Sequence, residues 1–189
     1  PQKIKTLVLS RQNPDEIYSN YEVTEVAMIY CFLADGFEEI EALGTVDILR
    51  RAGLEVNTVS VTGNKTVMGS HNIPVIADKM ASDVESSIFE NVTGAIYPGG
   101  MPGAQTLSSG ECTLPNEVAK YCFENGIIIG AICAAPLVLG RLNILDGKNA
   151  TCYPGFEDEL KGANCTGKKV AVDGKIITGR GPGCTIDFA

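Results

Sequence analysis

Residues 126–140 read GIIIGAICAAPLVLG. An apolar, β-branched run reaches Cys133, and the composition then changes to small, helix-compatible residues. Such a stretch reads as a buried strand that ends on a cysteine and turns at once into a helix. That geometry lifts one side chain out of a tight turn at the carboxyl end of a sheet, and the crowding there calls for small neighbours such as Ala131 and Ala135. One reading of Cys133 is therefore the cysteine counterpart of a nucleophile elbow. The other is a structural cysteine buried between a strand and a helix, since free cysteine is among the most buried residue types.

The rest of the chain sets the context for that choice. At 189 residues it has room for one domain with one core. It is 44% hydrophobic and 20% charged, as an ordinary globular protein is, and its net charge of -8 argues against nucleic acid or an anionic membrane as a partner. No apolar segment reaches the roughly 20 residues of a spanning helix. The opening residues PQKIKTLVLSRQN do not read as a signal peptide. Seven cysteines, without a CxxC pair or a nearby histidine to complete a zinc set, suggest reduced thiols in a cytosol-like compartment and no metal or cofactor. The sequence has one histidine, His71.

Residues 1–25 suggest an extension of uncertain order ahead of a domain spanning 26–189. Val26 to Leu33 is an unbroken apolar run and predicts a strand covered on both faces. Asp35 and Glu38 have capping-box spacing, Arg50 and Arg51 suit a last turn, and Gly53 suits the C′ position, so a helix is expected between them. At ~100° per residue, Glu41 falls in the sector of Phe37, Gly44, Ile48 and Ala52, whereas Glu39 points away. A carboxylate on that apolar side is either a boundary residue reaching for water or a site acid.

Leu54 to Val61 predicts a second strand. Residues 63–77, with His71 to Ala77 as a short strand, predict a hairpin-like edge excursion. Ser82 and Glu85 suggest a second capping box. Val92 to Tyr97 predicts a strand running into Pro98-Gly99-Gly100. That loop is either a plain turn or a place where backbone amides approach a ligand. Leu114 to Asn125 predicts a helix. Asp173-Gly174 predicts a β-hairpin, and Cys184 to Ala189 the first turn of a helix.

This order implies an α/β fold with a doubly wound, mostly parallel sheet sandwiched by helices and a β-hairpin excursion. Ligands of such folds sit at the carboxyl ends of strands. Residues 35–41, 98–100 and Cys133 all fall at such ends. Their convergence favours the nucleophile reading, and a helix start is expected to lower the thiol pKa.

Five separated motifs, LADGFEEIEALGTVDILRRAG, AIYPGGMPGAQTL, AICAAP, TCYPGFEDEL and GRGPGCTIDFA, together resemble the ThiJ/PfpI superfamily in its parkinsonism-associated deglycase (DJ-one) branch. The resemblance implies a flavodoxin-like fold and a homodimer. It also implies that Cys133 is the nucleophile, that Glu41 is the acid bonded to it, and that the amides of Gly100 and Ala134 form an oxyanion site, with Gly99 and Tyr153 beside the substrate. Activity toward small 2-oxoaldehydes without glutathione, or toward early glycation adducts, is implied, as is an alternative role as an oxidation sensor and chaperone. A thiazole monophosphate biosynthesis label travels with the ThiJ name, and no residue here supports it.

Three departures qualify the resemblance. Tyr153 stands where the human member has a histidine and some bacterial relatives an aromatic residue, and Ala134 stands where the protease branch has a histidine. A peptidase or amidotransferase would need His71, from the edge excursion, as its base. The family also continues past Ala189 with a helix packed on the sheet; a sequence ending there is either a piece of a longer one or expected to leave apolar surface uncovered.

Overall fold

The computed structural model describes residues 27–189, so the expectation for the extension 1–25 lies outside the described residues. The elements follow in chain order. They begin with strand β1 (Met28–Leu33), helix α1 (Glu39–Arg51), β2 (Val56–Ser60), β3 (Thr66–Met68), β4 (Pro74–Ile76) and β5 (Lys79–Met80). Short helices α2 (Ala81–Val84) and α3 (Ile88–Asn91) lead to β6 (Val92–Tyr97), α4 (Gly103–Ser109), α5 (Leu114–Glu124), β7 (Ile128–Ile132) and α6 (Pro136–Arg141). The chain closes with β8 (Asn149–Ala150), β9 (Asn164–Cys165), β10 (Val170–Asp173), β11 (Ile176–Gly179) and α7 (Thr185–Phe188).

Seven strands form one sheet in the order β10-β11-β7-β6-β1-β2-β5. All neighbours run parallel except the β10–β11 hairpin around Asp173-Gly174. From β1 the chain builds outward to β2 and β5, then returns to add β6, β7 and β11 on the other side. The strand order therefore reverses between β1 and β6, and in such a sheet the crevice at the carboxyl ends next to the reversal is where ligands bind.

Both faces of the sheet are covered. Ala42 and Val46 of α1 and Phe188 of α7 pack with Cys31, Leu33, Ile96 and Ile132 on one face. On the other, Leu107, Val118, Leu137 and Leu139 pack with Phe32, Tyr97, Ile129 and Ala131. This is why β1, β6 and β7 read as continuous apolar runs, not alternating ones. Beside α1 and α7 the first face also carries an apolar groove of about 170 Å³ lined by Ile29, Leu49, Ile96, Ile177 and Phe188.

The excursion is a separate two-stranded sheet of β3 and β4, and His71 lies in the turn between them, not in a strand. It is fastened to the segment after β1. Gly36 N–H donates to Met68 O (2.7 Å) and Ser70 N–H donates to Phe37 O (2.8 Å).

Local capping differs from expectation in two places. Asp35 does not cap α1; it accepts a hydrogen bond from Met68 N–H (2.8 Å), because the hairpin offers that amide to it. Glu38 takes the cap, accepting from Glu41 N–H at 2.7 Å. Similarly α2 starts at Ala81, with Asp83 accepting from Met80 N–H at 2.9 Å, so Ser82 and Glu85 form no capping box.

Candidate active site

The strand β7 stops at Ile132, and Cys133 adopts φ 64°, one of three non-glycine residues with positive φ among those described. A left-handed conformation is strained for a residue with a Cβ and persists only where the surroundings over-determine it. They do so here. Cys133 N–H donates to Gly179 O on β11 (2.8 Å), and Cys133 O accepts from Tyr153 N–H (2.8 Å). Ala131 and Ala135 are both fully buried, consistent with the lack of room around the turn.

Glu41 enters from α1. Its side chain is fully buried, because the first turn of α1 is held against the 98–100 loop: Glu38 N–H donates to Gly99 O (2.9 Å), and Gly99 N–H donates to Glu41 Oε2 (2.8 Å). The other carboxyl oxygen, Oε1, is buried without a hydrogen-bond partner. Gly99 stands between acid and thiol. A Cβ there would come within 2.6 Å of both Cys133 Cβ and Glu41 Oε2, so only glycine lets the three segments close up. Gly100 is equally constrained, with φ 85° and the backbone of Gly36, Phe37 and Glu38 against it.

The electrostatics follow from this packing. Burial pushes the Glu41 carboxyl up to about 7; the Cys133 thiol and the Gly99 amide pull it back, while the Glu38 charge adds to the rise. Burial also pushes the Cys133 thiol well up, and the Glu41 carboxylate pushes it further, against the opposing pull of the Ala134 and Gly100 amides. The expected lowering of the thiol pKa by a helix start is therefore overridden by burial, with the carboxyl group beside the sulfur adding to the rise. Two groups so placed titrate as a pair. Loss of one proton near neutral pH leaves a single negative charge shared between them, and a second charge is strongly disfavoured.

The structure thus brings Cys133, Glu41, Gly99, Gly100 and Ala134 together, with Tyr153 attached through its backbone to Cys133 and its side chain 47% exposed. Glu39 does not simply face water. It is buried, and its two oxygens accept from His71 N–H (2.7 Å) and Ser70 Oγ (3.1 Å) and pair with His71 Nδ1 (2.8 Å). Burial pushes this carboxyl up, but the bonds from His71 and Ser70 together outweigh it and hold it at about 2. His71 is exposed and engaged with Glu39, and its pKa is raised by that hydrogen bond and charge.

Cys31 is fully buried in β1, and burial pushes its thiol to about 12. Cys152 is buried next to Tyr153, its thiol likewise at about 12. Glu38, Glu39 and His71 are the one group among the described residues with ligating atoms within 4.8 Å of one another. Glu38 Oε2 accepts from Glu41 N–H, and both Glu39 oxygens are engaged by His71 and Ser70. Sequence reasoning missed the cap made by Glu38. Its signal was the three-residue step from Glu38 to Glu41, which marks a cap once α1 is started at Glu39.

Comparison with known proteins agrees with this architecture. A family model described as the DJ-1/PfpI family matches residues 27–189. The chain is 35% identical over 159 residues to protein dj-1beta of Drosophila melanogaster, covering 83% of this chain and 82% of that one. It is 39% identical over 159 residues to protein DJ-1 homolog B of Arabidopsis thaliana, covering 83% of this chain. The match spans 35% of that plant protein's length. Among solved structures, oxidized DJ-1 of Toxoplasma gondii superposes with a TM-score of 0.79 at 36% identity, covering 86% of each chain. A DJ-1 superfamily protein of Salmonella typhimurium, solved as a cysteine-to-alanine mutant, gives 0.77 at 30% identity, covering 86% of this chain and 85% of that one. The match runs through every described element, and by it the chain belongs to the DJ-1/PfpI family.

Proposed function

We propose that the protein is a cysteine-dependent glyoxalase that needs no glutathione, acting on small 2-oxoaldehydes and related glycation adducts. The observation that carries this reading is the buried Glu41 carboxyl, poised near neutrality beside Cys133 with one oxygen unpartnered. The Cys133 sulfur adds to the aldehyde carbon, and its proton passes to the carbonyl oxygen, giving a hemithioacetal. The Gly100 and Ala134 amides, which already point at the sulfur, steady the oxyanion as it forms.

Sulfur in the hemithioacetal carries no charge, so no thiolate opposes ionisation of Glu41, and what holds its pKa up is burial and the Glu38 charge. The carboxylate takes the proton from C1 while the C1 hydroxyl proton passes to the C2 oxygen, giving an enediolate. The carboxyl group then returns its proton at C2 as C1 becomes a carbonyl. C1 is oxidised and C2 reduced within one molecule, so no external redox partner is required. The product is a thioester, and water releases the 2-hydroxy acid and the thiol. Lactate formation from methylglyoxal without glutathione tests the proposal: Cys133→Ser and Glu41→Gln should each abolish it, and wild-type turnover in either variant would sink it.

A second reading is favoured by one observation. The same amides, and the Glu41 carboxyl when protonated on its unpartnered oxygen, could donate to the oxygens of a sulfinate on Cys133, and the Toxoplasma relative was solved in an oxidized form. Peptide mapping after mild peroxide should then find Cys133 oxidised ahead of the other six cysteines; equal oxidation of all seven removes this reading. A homodimer is part of the proposal, supported by the apolar patch of Ile40 (61% exposed) on α1 and Ile186 (79% exposed) on α7. Ile186→Glu should reduce the mass measured by light scattering to that of a monomer.

A further inference from the structure

A second cavity, of about 440 Å³, is lined by Tyr153, Pro154, Lys169, Arg180, Pro182 and Cys184, on segments bonded to the backbone of Cys133. Its walls hang from the backbone of the nucleophile. Tyr153 N–H donates to Cys133 O, and Gly179, whose carbonyl receives Cys133 N–H, is followed directly by Arg180. Arg180 N–H donates to Lys169 O (2.9 Å), which keeps the two cationic residues side by side. Lys169 faces one acid, Asp187, at 3.8 Å, with both side chains largely exposed.

Arg180 is different from its peers. Arg50, Arg51 and Arg141 each hold a carboxylate, at 2.6, 2.8 and 2.9 Å. Among the described residues Arg180 is the one arginine with no carboxylate within ion-pair distance. In a chain of net charge -8, a free guanidinium and a lysine on one cavity wall are a local reversal of sign. A planar guanidinium matches the two oxygens of a carboxylate or phosphate, and the Tyr153 ring and Pro182 supply an apolar floor for a short carbon chain.

We propose that this cavity is an anion subsite, and that the substrates Cys133 handles best are aldehydes or 2-oxoaldehydes bearing a carboxylate or phosphate, held by Arg180 with help from Lys169. The proposal rests on the reading of Cys133 as the reactive thiol, but its test needs no turnover. Alkylation of Cys133 is followed by mass spectrometry with iodoacetate, which is anionic, and iodoacetamide, its neutral isostere. Exposed Cys165 serves as an internal reference.

Arg180→Gln should lower the iodoacetate rate at Cys133 about tenfold, the lower range for a solvent-open charged hydrogen bond, and leave the iodoacetamide rate within about twofold. Arg180→Lys should recover part of the loss, Lys169→Gln should show a smaller loss, and the ratio at Cys165 should not move. Protection by inorganic phosphate but not acetate would assign the site to phosphate, and the reverse to carboxylate. An iodoacetate-to-iodoacetamide ratio unchanged in Arg180→Gln and Lys169→Gln, or both rates falling together, overturns the subsite. Wild-type protein that forms no lactate from methylglyoxal, yet loses its iodoacetate preference at Cys133 on Arg180→Gln, would instead count against the glyoxalase reading alone.

Discussion

Glu39 and Glu41 lie two residues apart in the first turn of α1, both buried, and their pKa values move in opposite directions. Glu39 is surrounded by donors from the β3–β4 turn and stays ionised at about 2. Glu41 has one amide donor and a thiol for company, and burial carries it to about 7. Burial raises both, but Glu41 lies deeper, feels the Glu38 charge and has fewer hydrogen bonds to stabilise its charged form. A carboxylate with its acceptors filled fastens the hairpin to the helix; one left half-filled can exchange a proton.

The sharpest way to break this contrast is to neutralise each acid in turn. Glu41→Gln should cut turnover of methylglyoxal by at least about 100-fold, as loss of a general acid-base group does, whereas Glu39→Gln should keep kcat within a few-fold and lower Tm instead. Equal losses of kcat in the two variants would remove the distinction. Gly99→Ala should come next. Its added Cβ meets both Cys133 Cβ and Glu41 Oε2 at 2.6 Å, and misplacing reacting groups by about 1 Å costs about 100-fold.

A third effect is on stability. Glu41 holds its proton more tightly folded than unfolded, so its contribution is fully present below pH 4.5, the ordinary value, and is lost as pH rises through about 7. Glu41→Gln needs no proton and should narrow the difference in unfolding free energy between acidic and about pH 8 buffer by about 2–3 kcal/mol, read from urea melts. Glu39, with its pKa lowered, contributes stability above 4.5 that is lost as pH falls toward about 2.

The smallest effect is expected at exposed His71. Its raised pKa means that its contribution is present below the ordinary 6.5 and is lost as pH rises through the raised value. His71→Ala should therefore lower Tm by no more than about 2 °C, on the acid side only.

Much of this was legible in the sequence because packing repeats along the chain. The apolar runs of β1, β6 and β7 gave strands covered on both faces, and Asp173-Gly174 gave the β10–β11 hairpin. Glu41 stood out because a carboxylate on an apolar helix face has to be explained. What stayed hidden depends on partners distant in sequence. Asp35 looked like a cap until Met68, 33 residues on, supplied a better donor. Glu39 looked solvated because helical periodicity says nothing of a hairpin folding over it. The thiol pKa was misjudged for the same reason, since the helix start is local and Glu41 is not. Arg180 passed unnoticed because an arginine with no carboxylate partner among the described residues is visible only once their charges have been placed.

The central claim is that Glu41, and not Glu39, exchanges protons near neutrality through its contact with Cys133. Site-resolved titration by NMR of protein labelled at the glutamate carboxyl carbons, in wild type and Cys133→Ala, measures it directly. Glu41 should titrate near 7 in the wild type and higher still without the thiol, which pulls it down, while Glu39 stays ionised far below that range. A Glu41 midpoint at the ordinary 4.5, unmoved by removal of the thiol, would contradict the account.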